Sequence, residues 1–348
     1  MGANFRSDNV AGIDPAILEA VARANAGPSL PYGNDAVTQR VEQRLAEVFE
    51  TDVAVFPVAT GTAANALCLA AAVPSWGAVY CHAESHILLD ECNAPEFYTG
   101  GARLVPLAGA QGRLAPESLA ATLAAAPTGV HHAQPAAVSI TQLSESGTAY
   151  KPDHVAAIGQ ICRERCLVLH MDGSRFANAL AGLNCSPADL TWRAGVDLLS
   201  FGATKNGAIA AEAIVVFRKD LAASLAYRRK RAGHLFSKMR FLSAQLEAYL
   251  DQDRWLDNAR HANAQAKRLA RGLGALSGVT VTQPVDGNEV FAEMPTRLVA
   301  AIEAEGFALE PWAPATGDKR LMRLVAAFDT DPKDVEALIA AANRRQAA

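Results

Sequence analysis

The chain has 348 residues, of which 50% are hydrophobic and 20% are charged, with a formal net charge of -4. This composition is typical of a globular protein, and the length suits a large domain followed by a smaller one. The slightly negative charge provides no basic surface for nucleic acid, and no apolar run is long enough to span a bilayer. We therefore expect neither a nucleic-acid partner nor a membrane partner.

The six cysteines are scattered along the chain without the paired spacing of a metal site. They are Cys68, Cys81, Cys92, Cys162, Cys166 and Cys185. Cys162 and Cys166 could share one helix face, but no second pair of ligands accompanies them. Buried free thiols explain the cysteines better, and residues 1–6 do not resemble a secretory leader. We expect a cytoplasmic protein without a bound metal.

The first 65 residues contain three segments that could form turns or bind a ligand. Residues 7–9, Ser-Asp-Asn, are typical of an Asx turn. Asp35 precedes apolar residues at helical spacing and predicts a capped helix. Residues 53–58 predict a strand, and the turn at residues 60–62 leads into an alanine-rich helix. The amino end of this helix could bind an anion or be an ordinary tight connection, and it lacks the lysine of a nucleoside-triphosphate site.

Two histidine pairs follow in the next part of the chain. His82 and His86 come after a predicted strand at residues 78–81, and His131 and His132 are adjacent. Neither pair has the carboxylate-histidine pattern of a zinc helix. Adjacent residues of an extended chain point to opposite sides, so at most one of the second pair can face a site.

From residue 95 onward, predicted strands and helices alternate. Strands are expected at residues 103–107 and 136–140, and helices at residues 116–125 and from Asp153, which we expect to cap its helix. This alternation indicates an α/β fold, in which ligands bind at the carboxyl ends of the strands. Residues 141–147 follow a strand and belong to that edge.

Two apolar runs end in the most informative polar residues of the chain. Residues 167–169 lead into Asp172 and Arg175, and residues 196–199 lead into Lys205. Alone, the aspartate could cap a helix and the lysine could be solvated. Together they are typical of a pyridoxal-phosphate site, where a lysine forms a Schiff base and an acid pairs with the pyridine nitrogen. The arginine in the same loop suits a carboxylate.

These motifs, Met-Asp-Gly-Ser-Arg-Phe-Ala-Asn-Ala at residues 171–179 and Gly-Ala-Thr-Lys-Asn-Gly at residues 202–207, resemble the low-specificity L-threonine aldolase family. That family also includes phenylserine aldolases, and the likeness runs from Ser7 to Arg323. The resemblance implies a fold-type-I pyridoxal-phosphate enzyme. Its large domain, residues 1–245 with an N-terminal arm, has a mostly parallel sheet flanked by helices. A small C-terminal α/β domain follows at residues 246–348, where we expect helix, strand, helix, strand and helix.

The resemblance also implies a role for each site residue. Catalysis is assigned to Lys205, Asp172 and two histidines, of which His86 stacks on the cofactor ring and His131 shapes the pocket near the substrate hydroxyl. The cofactor-binding residues implied are Gly61, Thr62, His86, Asp172, Arg175, Thr204, Lys205, Lys230 and Arg240. The substrate-binding residues implied are Ser7, Tyr32, Arg175 and Arg323. His82 has no counterpart in the family.

A basic run at residues 227–231 is followed by more basic residues near position 240. Such a run is usually a solvated helix face, and no aromatic residues alternate with it as in a single-strand-binding protein. In the family, residues here reach the cofactor phosphate of a neighbouring subunit, which Arg240 and then Lys230 match best. The resemblance therefore implies an obligate oligomer, a homotetramer built as a dimer of dimers with shared active sites.

The expected reaction is retro-aldol cleavage of L-threonine, L-allo-threonine or another L-β-hydroxy-α-amino acid to glycine and an aldehyde. Other chemistry of the same fold, β-elimination or transamination, stays open because the lysine–acid pair does not determine which bond breaks. A catalytically idle scaffold that binds the cofactor is a more distant alternative. A zinc or dinucleotide enzyme lacks both the ligand spacing and the glycine fingerprint.

Overall fold

A computed structural model describes residues 3–346 of the chain. It contains a seven-stranded sheet and a four-stranded sheet. The strands of the large sheet are β1 (Ala54–Val58), β2 (Gly77–His82), β3 (Arg103–Leu107), β4 (Gln134–Thr141), β5 (Val168–Gly173), β6 (Leu198–Gly202) and β7 (Glu212–Val216). The strands of the small sheet are β8 (Thr280–Val281), β9 (Glu289–Pro295), β10 (Glu310–Pro311) and β11 (Lys319–Val325).

The helices alternate with these strands along the chain. They are α1 (Pro15–Ala24), α2 (Ala36–Phe49), α3 (Gly61–Ala72), α4 (His86–Leu89), α5 (Ala94–Thr99), α6 (Pro116–Ala124), α7 (Pro152–Glu164), α8 (Phe176–Leu183), α9 (Pro187–Leu190), α10 (Ala222–Arg231), α11 (Arg240–Leu250), α12 (Arg254–Gly274), α13 (Thr296–Ala304) and α14 (Pro332–Gln346). None of the helices in this part of the chain is long and apolar enough to cross a bilayer.

The large sheet has the strand order β1-β7-β6-β5-β4-β2-β3, and only β7 runs opposite to the other strands. The carboxyl ends of β1, β2, β4, β5 and β6 therefore meet at one edge, together with the amino end of β7. This confirms the predicted fold class, and it makes that edge the place where a ligand is expected.

Both faces of the large sheet are covered, and the alternation of side chains in β5 shows how. Leu169 and Met171 point into one hydrophobic core, whereas Val168 points into a second core on the face of α3. Because side chains of a strand alternate between faces, His170 and Asp172 lie on the α3 face as well. The strand register thus determines which helix Asp172 meets.

Strands β5 and β6 extend further than their apolar runs predicted, because their polar residues are satisfied inside the sheet. The His170 ring lies between two hydroxyl groups, with Nδ1 at 2.9 Å from Ser139 Oγ and Nε2 at 3.0 Å from Ser200 Oγ. The predicted cap at Asp153 was wrong. Helix α7 begins at Pro152 after Lys151, and Asp153 lies in its first turn, where a negative charge suits the helix dipole.

The second, smaller core is joined to the first by the 21-residue helix α12. Trp255 belongs to the large core and Leu269 to the small one. The N-terminal arm also packs on the small sheet: the Phe5 amide donates to the Ala308 carbonyl oxygen, and the Phe5 carbonyl accepts from Val325. The small sheet has two more strands than predicted, since two-residue strands leave no periodic pattern. The division at residues 245/246 stays a prediction.

Candidate active site

A cavity of about 370 Å³ lies at the carboxyl edge of the large sheet. Its wall is formed by residues that follow β1, β2, β5 and β6, by the start of β7 and by Asn9 of the N-terminal arm. They are Asn9, Ala59, Thr60, Gly61, Thr62, Asn65, His86, Glu91, Ser174, Thr204, Lys205, Ile209, Ala210 and Glu212. The cavity therefore brings together five residues that the sequence predicted for the site, namely Gly61, Thr62, His86, Thr204 and Lys205.

One end of the cavity is formed by the amino end of α3. Thr60 caps this helix, because its Oγ1 accepts a hydrogen bond of 3.2 Å from the Ala63 amide. Gly61 and Thr62, the first two residues of the helix, line the cavity. Free amide hydrogens and the helix dipole at this point favour an anion such as a phosphate group.

Lys205 enters the cavity from a tight turn after β6. The turn, Thr204–Asn206, ends at Gly207, whose φ of +119° favours glycine. The side-chain amide of Asn206 donates to the Tyr249 hydroxyl at 2.9 Å and to the Trp255 carbonyl oxygen at 2.8 Å. These buried contacts fix the turn to α11 and α12, so the lysine leaves from a rigid support.

Glu212, at the start of β7, holds the turn from the other side, and sequence analysis missed it. Its carboxyl accepts from the Ala203 amide at 2.9 Å and is hydrogen-bonded by Thr204. Burial raises the pKa of Glu212 to about 7. Thr204 Oγ1 also accepts from the Ala211 amide at 3.2 Å, so its hydroxyl already has protein partners. The predicted contact of Thr204 with a cofactor stays a prediction.

Asp172 is fully buried, and each of its carboxylate oxygens accepts hydrogen bonds. Oδ1 accepts from the Ser174 amide and hydroxyl at 3.0 and 2.8 Å, and Oδ2 accepts from Asn65 at 2.9 Å. Burial by itself would raise the pKa of Asp172, but the nearby His86, His170 and Lys205 keep it below its usual value. Asp172 is therefore an oriented, ionised acid behind the cavity.

His86 lies on the cavity wall with one ring nitrogen bound to protein. Its Nδ1 is 2.9 Å from Glu91 Oε1, and this hydrogen bond raises the pKa of His86. Ligand-type atoms of His86, Glu91 and Asp172 lie within 4.8 Å of one another. The side-chain amide of Asn65 donates to both carboxylates, at 2.8 and 2.9 Å, whereas Glu91 Oε2 is buried and has no hydrogen-bond partner among the described residues.

Arg175 is buried, but it is paired with the protein itself. Its Nε and Nη2 donate to the two oxygens of Asp8 at 2.8 and 3.0 Å. The Asp8 carboxylate also accepts from Asn288 at 3.0 Å. Burial by itself would raise the pKa of Asp8, but Arg175 keeps it below its usual value. The sequence predicted this arginine as a free carboxylate-binding group; in the structure, one edge of its guanidinium is already occupied.

Two further carboxyl groups surround this ion pair. Glu289 Oε1 lies 3.4 Å from Arg175 Nη1, and burial raises the pKa of Glu289. Burial and the charge of Glu289 raise the pKa of Glu145 to about 7. The positive charge of Arg323 acts on Glu289 from β11, so the two predicted carboxylate-binding arginines approach the same acid.

The side chain of Arg323 is positioned by an aromatic ring and the N-terminal arm. Its guanidinium lies 4.6 Å above the Trp312 ring, and Nη2 donates to the Arg6 carbonyl oxygen at 3.2 Å. Ser7 accepts from the Asn9 amide at 3.1 Å and begins a short helical turn. Asn9, rather than Ser7, reaches the cavity wall.

The structure does not bring His131 to the cavity of its own chain, and its role as a base stays a prediction. His131 is exposed and precedes β4, whereas the cavity lies beyond the end of that strand. Eight residues of β4 separate the two edges by about 25 Å at about 3.3 Å per residue. Strand position could have indicated this, because His131 precedes the strand predicted at residues 136–140, whereas ligands bind at the carboxyl ends of the strands.

Tyr32, Lys230 and Arg240 also lie outside the cavity of their own chain. Lys230 Nζ is 5.0 Å from the centre of the Tyr32 ring, and the Tyr32 amide donates to the Ser237 carbonyl oxygen at 3.0 Å. Arg240 Nη1 donates to the Gly27 carbonyl oxygen at 2.8 Å. The three side chains therefore form one surface region around the segment at residues 27–32.

Comparisons with known proteins agree with this geometry. The family model for β-eliminating lyases matches residues 4–296. The chain is 42% identical to the low specificity L-threonine aldolase of Pseudomonas aeruginosa, over 96% of this chain and 95% of that protein. It is 40% identical to the enzyme of the same name from Pseudomonas sp. strain NCIMB 10558, over 97% and 96%.

Among solved structures, the Leishmania major threonine aldolase superimposes with a TM-score of 0.93 and covers 99% of both chains at 26% identity. A serine palmitoyltransferase of Sphingomonas wittichii shares the fold, with a TM-score of 0.72 at 14% identity and coverage of 99% of this chain and 88% of that one. The chain therefore belongs to the β-eliminating lyase family and, within it, to the low-specificity L-threonine aldolases.

Proposed function

We propose that this chain is a pyridoxal-phosphate-dependent aldolase that cleaves L-β-hydroxy-α-amino acids, such as L-threonine, L-allo-threonine or phenylserine, to glycine and an aldehyde. The observation that carries the proposal is the convergence of Lys205, His86 and the amino end of α3 on one cavity, with the ionised Asp172 behind it. The names of the related enzymes support the same reaction.

The residues of the cavity fit this cofactor. The first amides of α3 and Thr62 provide a phosphate site, Lys205 provides the amine for covalent attachment, and the ionised carboxylate of Asp172 would hold a proton on the pyridine nitrogen. When bound, pyridoxal phosphate supplies an electron sink for the negative charge left at the substrate Cα.

The substrate carboxylate is assigned to Arg175 and Arg323. Asp8 occupies the Nε side of the Arg175 guanidinium, and Glu289 lies 3.4 Å from Nη1. A substrate carboxylate or the phenolic oxygen of the cofactor would therefore bind at the Nη1–Nη2 edge, beside Glu289. Gripping the carboxylate at a fixed point would hold the Cα–Cβ bond in one orientation for cleavage. Asp8 thus contributes by fixing the arginine before substrate arrives.

The β-hydroxyl proton is assigned to His86, which lines the cavity. Because Nδ1 is bound to Glu91, Nε2 is the nitrogen that would accept the proton. Removing that proton drives the electrons of the O–H bond into the new aldehyde as the Cα–Cβ bond breaks.

The matched family model is named for β-elimination, so this reaction is the second candidate. Incubation of the cofactor-loaded protein with L-threonine, L-allo-threonine and L-phenylserine distinguishes the two. Retro-aldol cleavage releases glycine and an aldehyde, whereas elimination releases ammonia and a 2-oxo acid. Lys205→Ala is the control and should release neither. Oxo acid without glycine would contradict the proposal.

The assembly proposed is a homotetramer whose active sites are shared between subunits. It is supported by the position of Lys230 and Arg240, which were predicted to bind a cofactor phosphate but lie outside the cavity of their own chain, next to Tyr32, a predicted substrate-binding residue. Mixing Lys205→Ala with Arg240→Ala subunits tests it, because reassembled sites that carry both wild-type residues should regain activity. Proven subunit exchange without recovery would contradict a shared site.

A cytoplasmic location is part of the same proposal. It is supported by the free cysteines, of which Cys68, Cys81 and Cys162 are buried and unpaired. Burial raises the pKa of the Cys68 thiol to about 12, which keeps it protonated and unreactive.

A further inference from the structure

His86, Glu91, Asn65 and Asp172 form a continuous hydrogen-bonded chain that reaches from the cavity wall to β5. His86 Nδ1 is 2.9 Å from Glu91 Oε1, and the Asn65 amide lies 2.8 Å from the same oxygen. The Asn65 amide also lies 2.9 Å from Asp172 Oδ2. The Glu91 side chain has no exposed surface, whereas the His86 side chain is 33% exposed. A buried acid therefore holds a ring that faces the cavity.

We propose that Glu91 is the positioning residue that orients His86 as the base. Asn65 holds Glu91 in place by hydrogen-bonding both Glu91 and Asp172. This inference rests on the proposed function, since it concerns the proton that leaves the substrate hydroxyl. It assigns a role to two residues for which the motifs provided none.

The direction of the hydrogen bonds determines which ring nitrogen is free. Both hydrogens of the Asn65 amide point to carboxylates, one to Glu91 and one to Asp172. Glu91 Oε1 accepts from Asn65 and from the ring, so the hydrogen between Glu91 and His86 resides on Nδ1. The lone pair of the neutral ring is then on Nε2, where no described residue binds it, and Nε2 can take a proton.

The charges around His86 come from three different elements. Glu91 follows α4, Asp172 ends β5, and Glu145 follows β4, and each raises the pKa of His86. Burial of the ring opposes them, and Lys205 lies on the same cavity wall. Removing the charge of Glu91 leaves two acids in place, so the pKa of His86 should fall without reaching the value of an isolated buried ring.

The test is Glu91→Gln, which keeps an accepting oxygen but removes the charge. Deuterium exchange of the imidazole Cε1 hydrogen, followed over a pH series by peptide mass spectrometry of the cofactor-loaded enzyme, reports the pKa of each histidine. The expected result is a lower pKa for His86. His82 is an internal control, because its ring bonds to the Gly109 carbonyl oxygen and the Glu84 amide. Its exchange curve should not move.

Activity provides the second measurement. The acid limb of kcat/KM for the β-hydroxy-amino acid should shift to lower pH in Glu91→Gln, because the base loses its proton at lower pH. At saturating substrate, kcat should fall about tenfold or more, within the usual contribution of a positioned base, while KM stays near the wild-type value. A merely structural role would change neither the pH limb nor the exchange curve of one histidine.

Glu96→Gln is the matched control. Glu96 lies on α5 and, like Glu91, has one buried carboxyl oxygen without a hydrogen-bond partner in the described part of the chain, but it is not hydrogen-bonded to His86. Its substitution should leave both curves unchanged. An unchanged His86 pKa in Glu91→Gln, or the same change in Glu96→Gln, would overturn the proposal.

Two results separate this inference from the proposed function. A wild-type His86 pKa at or below about 6.5, the usual value, would overturn the role of Glu91 without any variant. The exchange measurement needs no turnover. A wild-type enzyme that releases no glycine would therefore contradict the aldolase proposal while the histidine result stands on its own.

Discussion

The ion pair between Asp8 and Arg175 predicts a linked loss of stability and of substrate binding. Asp8 is 2% exposed and accepts two hydrogen bonds from Arg175 and one from Asn288. The pair joins the N-terminal arm to the large sheet, and Asn288 joins both to the small domain. In Asp8→Asn, the charge is lost and an amide NH2 replaces one accepting oxygen.

Breaking a buried ion pair by removing one partner costs about 3–5 kcal/mol of unfolding free energy. With about 2 cal/mol/K of unfolding entropy per residue, 348 residues correspond to a fall in Tm of about 4–7 °C. The same change leaves the Arg175 guanidinium without its orienting partner, so KM for the amino acid should rise more than kcat falls.

The assays are thermal unfolding by circular dichroism and steady-state kinetics, both at pH 7. Because Asp8 has a lowered pKa in the folded protein, its contribution is present above the usual aspartate pKa and is lost as pH falls through the folded value. The Tm difference between variant and wild type should therefore shrink in acid. The control is Asp52→Asn, which removes an exposed ion pair with Lys219 and should leave Tm unchanged. Equal Tm values for Asp8→Asn and wild type would refute the reasoning.

Two further predictions use the same assays. Trp312→Ala removes the ring beneath Arg323, a contact worth about 0.5–1 kcal/mol, so KM should rise about two- to fivefold. The rise in KM should be larger in Arg323→Ala. An unchanged KM in both variants would show that Arg323 does not bind the substrate. Glu212 has a raised pKa of about 7, so its contribution to stability is full below the usual glutamate pKa and is lost as pH rises through 7. Glu212→Gln should therefore gain Tm relative to wild type between pH 5 and pH 8, and a constant difference would contradict the assignment.

The sequence predicted the parts of the site that local pattern determines. An acid and a lysine at the ends of two apolar runs indicated Asp172 and Lys205, because strand ends of an α/β sheet meet at one edge. The turn before α3 was equally compatible with an ordinary connection, and its place on the cavity wall depends on how β1 pairs with β7.

Two of the residues that the sequence missed, Asp8 and Asn65, act over long sequence separations. Asp8 and Arg175 are 167 positions apart, and Asn65 and Asp172 are 107 apart. Glu91 is only five positions from His86, but an acid near a histidine is too common to indicate a pair. Glu212 is the first residue of an apolar strand, and a charged residue at a strand boundary does not by itself indicate a function. In each case the partner is determined by tertiary packing rather than by local spacing.

The measurement that tests the central claim most directly is borohydride reduction of the protein loaded with pyridoxal phosphate, followed by peptide mapping. We expect a single pyridoxyl group on Lys205, the lysine on the cavity wall, and loss of glycine release in the reduced protein. A pyridoxyl group on another lysine, such as Lys230 on the surface, would contradict it. So would a reduced protein that carries no label and keeps its activity.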